Sequence, residues 1–68
     1  MIKVAREEKK RLVEAYMNEL DRLLDTESVT KAEELRDAFL LFLIKTDFSK
    51  RTIKALKDLS DIMMESVR

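Results

Sequence analysis

Few side chains in this sequence are suited to covalent chemistry. It contains no His, Cys or Gly, which excludes a His- or Cys-based nucleophile, a thiolate metal site and a Gly-rich phosphate loop. Glu33, Glu34 and Asp37 could offer carboxylates to a cation from one helical face. The same residues suit the first turns of a helix, where the helix dipole favours negative charge, and we adopt that interpretation. We therefore expect no enzyme activity, no cofactor, no metal and no small-molecule substrate.

Basic side chains are the second group with a defined chemistry, because clustered Lys and Arg bind phosphate groups and acidic surfaces. The whole chain is neutral, with 14 basic and 14 acidic residues, but residues 1–11 and 45–57 together hold ten basic side chains and three acidic ones. This imbalance is compatible with an ordinary solvated surface. It is also compatible with a basic end that binds nucleic acid or an acidic protein, or with copies whose opposite ends pair.

The segment "DFSKRTIKALKDL", residues 47–59, resembles the second half of a helix-turn-helix motif. In that motif an apolar residue, a Ser and several basic residues open the recognition helix. The resemblance implies that Ile53 and Leu56 face the core. The positions that it assigns to nucleic-acid contact are Ser49, Lys50, Arg51 and Lys54.

The residues before this segment depart from the motif. Asp47 stands at the turn position that usually holds Gly, Thr46 at a position that is usually apolar, and Leu43 at a position that is usually small. A small DNA-binding regulator that uses residues 47–59 is therefore our alternative interpretation.

Helices must position all of these residues. The 68-residue chain is rich in helix-forming residues and has neither Gly nor Pro, which are the residues that punctuate β-rich folds. Apolar spacing predicts helices at about residues 2–25, 31–45 and 50–67. Because both connections are short, we expect one all-α domain in which the helices run up, down and up.

Helix starts are marked by capping residues. Thr30 and Glu33 have the spacing of a capping box for the second helix. Ser49 is a candidate N-cap of the third helix, and Phe48 with Ile53 would form a hydrophobic staple across that cap.

Each predicted helix has one apolar face for the core. In the first helix the face is Leu12, Val13, Tyr16, Met17, Leu20, Leu23 and Leu24. In the second helix it is Ala32, Leu35, Ala38, Phe39, Phe42 and Leu43. In the third helix it is Ile53, Leu56, Leu59, Met63 and Val67. Met64 at the edge of this face, with Ile62 and Ala55 on the opposite flank, makes the third helix a further possible contact surface.

The stretch "DAFLLFLIKTDF" has no polar side through its middle, because residues 38–44 are all apolar. Leu40, Leu41 and Ile44 lie on the side away from the predicted core face. Leaving a Leu or Ile in water forgoes about 1.5–3 kcal/mol, so we expect a covering surface. A second copy of the chain or another protein is our main interpretation. A groove in the chain's own bundle and a bound apolar ligand are the alternatives.

These observations predict a small non-enzymatic regulator or adaptor that acts through protein–protein interaction as a homodimer. The start "MIKVAREEKK" lacks the pattern of a signal peptide, and seven apolar residues fall far short of the roughly 20 that cross a bilayer. We therefore expect a cytoplasmic protein without a membrane partner.

Overall fold

Three helices form most of the computed structural model, which describes residues 2–67. They are α1 (Arg6–Asp25), α2 (Val29–Lys45) and α3 (Lys50–Glu65). They run up, down and up in a bundle 34 Å long, and each helix packs against the other two. The predicted all-α, up-down-up architecture is confirmed.

The turn between α1 and α2 is closed by backbone hydrogen bonds. The Ser28 amide donates to the Leu23 carbonyl at 2.8 Å, and the Glu27 amide donates to the Leu24 carbonyl at 3.1 Å. This is the Schellman pattern, which normally uses Gly in the left-handed region. Here Glu27 adopts that conformation, with φ of 58°, so the chain reverses without a glycine.

The predicted capping box at the start of α2 is wrong. Because the Schellman turn ends at Ser28, α2 begins at Val29, and Thr30 lies inside its first turn. Ser28 is the N-cap residue, and its side chain makes no capping hydrogen bond.

The predicted cap of α3 is confirmed. Ser49 is its N-cap, and the Ser49 hydroxyl accepts a hydrogen bond from the Thr52 amide at 3.2 Å. Ile53 packs against the buried cluster that contains Phe48, as a hydrophobic staple requires.

The chain before α1 is extended, so the predicted helix start at residue 2 is wrong. We call residues 2–5 the N-terminal arm. The Ile2 amide donates to the Lys45 carbonyl at 3.2 Å, and the Asp47 amide donates to the Ile2 carbonyl at 3.0 Å. The Val4 amide donates to the Asp47 carboxylate at 3.0 Å. These bonds to the α2–α3 connection replace the helical bonds that the arm would otherwise form.

The core consists of two apolar clusters. One contains Tyr16, Leu20, Leu23, Leu24, Ala32 and Met64. The other lies towards the α2–α3 connection and contains Leu43, Phe48 and Leu56. The predicted core face of α1 is confirmed, whereas Ala38 and Phe42 of the predicted α2 face are exposed.

The core face of α3 is rotated from its predicted position. Leu59 is 48% exposed and Val67 is also exposed, whereas Ser60 and Met64 are buried. The cause is the Ser60 hydroxyl, which donates to the Leu56 carbonyl at 2.7 Å and is hydrogen bonded to the Tyr16 hydroxyl at 2.6 Å. Because both hydroxyls have partners, burial of Ser60 leaves no polar atom unsatisfied.

Replacing Ser49 with Ala should lower the free energy of unfolding by about 1 kcal/mol, because the Thr52 amide loses its capping partner. Thr30→Ala is the matched control and should change stability much less, because the Thr30 side chain caps nothing. Urea denaturation followed by circular dichroism measures both. Equal losses in the two variants would contradict the assigned start of α2.

Candidate interaction surfaces

The last turns of α2 carry an exposed apolar surface. Leu41 is 54% exposed and Ile44 is 64% exposed. Leu41 lies opposite the buried Ala32 and Leu43, and Ile44 lies about 60° around the helix from Leu41. We call Leu41 and Ile44 the α2 patch. The bundle covers neither of them well, so the alternative of a groove in the chain's own bundle does not account for these two residues.

Leu40 is the third residue predicted for this surface, and the structure places it elsewhere. It is half-buried and packs against the cluster of Leu43, Phe48 and Leu56. At about 100° per residue, Leu40 lies on the flank of α2 that faces α3, whereas Leu41 points outwards. The intramolecular explanation therefore holds for Leu40 alone.

The α2 patch lies at the end of the molecule where basic residues gather. The arm, the start of α1, the end of α2 and the start of α3 meet there, because Ile2 pairs with residues 45 and 47. We call this the basic end. Among residues 2–67, seven of its basic side chains are exposed and form no ion pair. They are Lys3, Arg6, Lys10, Lys45, Lys50, Arg51 and Lys54.

Two acidic side chains at this end are already engaged. Asp47 accepts a hydrogen bond from the Val4 amide and lies 3.3 Å from the Lys9 ammonium. Glu8 pairs with Arg11 at 3.7 Å. These two carboxylates therefore neutralise Lys9 and Arg11, and none of the seven exposed basic residues.

Asp47 is the residue that fixes the arm. The hydrogen bond from the Val4 amide, aided by the Lys9 ammonium, holds the pKa of the Asp47 carboxyl below its usual range. Lys9 also donates to the Asp47 carbonyl at 3.0 Å and lies 5.3 Å above the Phe48 ring. The position that usually holds Gly in a helix-turn-helix turn is thus occupied by Asp47, whose carboxylate holds the N-terminal arm in place.

The four residues predicted for nucleic-acid contact are divided between two roles. Lys50, Arg51 and Lys54 project into solvent from the first turns of α3. Ser49 is exposed, but its hydroxyl serves the cap and also lies 2.8 Å from the Thr52 hydroxyl.

The packing of α2 on α3 is that of a helical hairpin. Arg36 donates to the Asp61 carboxylate at 3.0 Å and contacts the Met64 sulfur at 3.6 Å. Both contacts lie more than two helical turns from the connection. The two helices of a helix-turn-helix motif cross at about 90–120°. At that angle, side chains more than two turns from the connection would be too far apart to make these contacts.

An open cleft of about 540 Å³ lies between α1 and the start of α3. Its lining residues are Lys9, Lys10, Val13, Glu14, Asp47, Phe48, Ser49 and Thr52. The lining contains basic and acidic side chains together with the Phe48 ring. It therefore favours neither an anionic nor a cationic ligand. The sequence did not predict this cleft, because it depends on the spacing between α1 and α3.

No family model matches this sequence, and no curated protein or solved structure matches it at a significant level. Within residues 2–67, no helix is long and apolar enough to span a membrane. The same residues contain no cluster of His, Cys, Asp or Glu arranged to hold a metal ion.

Acidification should release the N-terminal arm. The pKa of Asp47 is lower in the folded state than in the unfolded chain, so its stabilising contribution is complete above about pH 4 and is lost as the pH falls through the folded-state pKa. Hydrogen exchange at the Val4 amide, measured by NMR, should accelerate over that interval after correction for intrinsic exchange. In Asp47→Asn the corrected protection should lose this pH dependence. Equal protection of Val4 in the wild type above about pH 4 and below the folded-state pKa of Asp47, located by following the Asp47 carboxyl signal in the same NMR titration, would contradict the assignment.

Proposed function

We propose that this chain is a small non-enzymatic adaptor or regulator that binds another protein through the α2 patch. The observation that carries the proposal is the outward position of Leu41 and Ile44, two large apolar side chains on the solvent side of α2. Exposed apolar side chains that cluster within a charged surface are typical of interaction sites.

The charges around the patch favour a partner that is acidic. Lys45 is the residue after Ile44, and Lys3 belongs to the arm that pairs with the end of α2. Asp37 lies one turn before Leu41, but its carboxylate is 3.2 Å from the Arg36 guanidinium. A partner with acidic residues around apolar anchors would match both features of this surface.

The same charges oppose a symmetric dimer at this patch. A two-fold interface joins the same surface on both copies, so pairing through Leu41 and Ile44 would place two basic ends side by side. Like charges within a Debye length, about 8 Å at physiological ionic strength, repel each other. The homodimer predicted through the end of the second helix stays a prediction, and we favour an acidic heterologous partner for this surface.

An amphipathic helical peptide of Leu and Glu is a suitable probe. We expect it to perturb the NMR signals of Leu41, Ile44 and Lys45, and Leu41→Gln should weaken its binding about tenfold or more, since burying a Leu contributes about 1.5–3 kcal/mol. Thr30→Gln is the matched control, because Thr30 is exposed at the opposite end of α2 from Leu41, and this variant should bind the peptide normally.

Two results would contradict the proposal. One is peptide binding that perturbs residues away from the patch. The other is equal affinity for a Leu and Lys peptide of the same length, which would show that the charge around the patch does not select the partner.

Nucleic acid is a second candidate partner, favoured by the seven exposed basic side chains that lack ion pairs. The affinity of the protein for a DNA duplex should fall steeply as the salt concentration rises, because each phosphate contact releases counterions. Replacing Lys50, Arg51 and Lys54 with Gln should lower both the affinity and the salt dependence, whereas Leu41→Gln should leave them unchanged. Binding that is insensitive to the triple variant would exclude the start of α3 as the contact.

A further inference from the structure

A second apolar surface lies on α3 and is separate from the α2 patch. Ala55, Leu59 and Ile62 are exposed, Ile62 by 64%. We call these three residues the α3 stripe. Their spacing of four and three residues is that of a helix–helix seam, and Thr52 and Ser66 extend it with small side chains.

The position of the stripe follows from the rotation of α3. Asp61, which pairs with Arg36, marks the flank that faces α2, and Leu59 lies about 160° around the helix from Asp61 at 100° per residue. The stripe is therefore on the flank away from α2, next to the open side between α1 and α3. Nothing within residues 2–67 covers it.

Charge is ordered along α3. Its first turns carry Lys50, Arg51 and Lys54, and its later turns carry Asp58, Asp61 and Glu65. At about 100° per residue, Arg51, Asp58 and Glu65 are the members of this set that lie nearest the α3 stripe. Helix α1 runs in the same direction and changes from basic to acidic in the same order. A second copy placed antiparallel beside α3 would reverse this order, so that each basic half faces an acidic half.

We propose that the α3 stripe is the contact surface of a symmetric antiparallel homodimer, with its two-fold axis near Leu59. In this arrangement Leu59 packs against Leu59 of the second copy, and Ala55 accommodates the second copy's Ile62. Arg51 faces the second copy's Glu65, and the same pair forms again on the other side of the axis. The charge order selects a second copy as the occupant, and the proposal uses none of the residues on which the α2 patch depends.

The dimer should be weak. Three apolar residues from each copy cover less than the roughly 1,200 Å² of a stable interface, so we expect dimers to populate at about 0.1–1 mM chain. Asp58 flanks the stripe beside the axis and would face its own copy. Asp58→Asn should therefore raise the dimer fraction at a given concentration, and Leu59→Glu should abolish the dimer with helicity unchanged.

Single-cysteine variants test the proposal directly, because the chain has no cysteine and each introduced thiol is unique. In a glutathione redox buffer Leu59→Cys should form a covalent dimer at least about tenfold faster than Ile44→Cys, its similarly exposed control in the α2 patch. Circular dichroism checks that both variants are folded. Faster cross-linking of Ile44→Cys, or equal rates, would overturn the proposal.

Orientation is tested with a mixture of two variants. Arg51→Cys mixed with Glu65→Cys should give the mixed disulfide, because a bridge requires Cα atoms within about 7 Å, and each variant alone should give little covalent dimer. The opposite pattern, with each variant cross-linking to itself, would indicate parallel helices and would overturn the antiparallel arrangement.

Discussion

The hydrogen bond between the Tyr16 and Ser60 hydroxyls determines which side of α3 faces solvent. The Tyr16 ring stacks on Phe39 with 4.1 Å between ring centroids, so its hydroxyl is held in place between α1 and α3. Ser60 meets it at 2.6 Å and also donates to the Leu56 carbonyl. The desolvation that this arrangement imposes raises the pKa of Tyr16. Because the Ser60 proton is used on the Leu56 carbonyl, the Tyr16 hydroxyl is the donor to Ser60. Turning α3 to bury Leu59 would remove Ser60 from this network and leave the buried Tyr16 hydroxyl without its partner, which costs about 1–3 kcal/mol.

The small size of the chain explains why apolar surfaces remain outside. A chain of this length buries a smaller fraction of its surface than a larger domain does, and its two clusters cover one face of each helix. Leu41 and Ile44 lie outside the covered face of α2, and Leu59 and Ile62 lie on the open flank of α3. The two surfaces differ in their electrostatic setting. The α2 patch lies at the basic end, whereas the α3 stripe crosses from basic to acidic surroundings, which suits different kinds of partner.

Local chemistry made much of the fold predictable. The absence of Gly and Pro, the apolar periodicity and the Ser49 cap located three helices, and the charge count along the chain indicated where basic residues would gather. Three features were missed, and two of them depended on contacts between residues that are distant in the sequence. Residues 2–5 form no helix because Asp47, more than 40 positions away, binds their backbone. Helix α2 begins earlier than predicted because Glu27 adopts a left-handed conformation that usually requires Gly. Leu59 is exposed because Ser60 occupies the core-facing position of α3. The spacing of apolar residues could not predict this, because Ser60 is polar and its partner, Tyr16, is distant in the sequence.

The most direct measurement is the solvent accessibility of individual methyl groups in dilute solution, obtained from NMR relaxation caused by a soluble paramagnetic chelate. The account predicts strong relaxation for Leu41, Ile44, Leu59 and Ile62, and weak relaxation for Leu43 and Met64. The rotation of α3 and the outward position of the α2 patch are then both established in one experiment. Protection of Leu59 together with exposure of Met64 would contradict the account, because α3 would then present the face that apolar periodicity alone predicts.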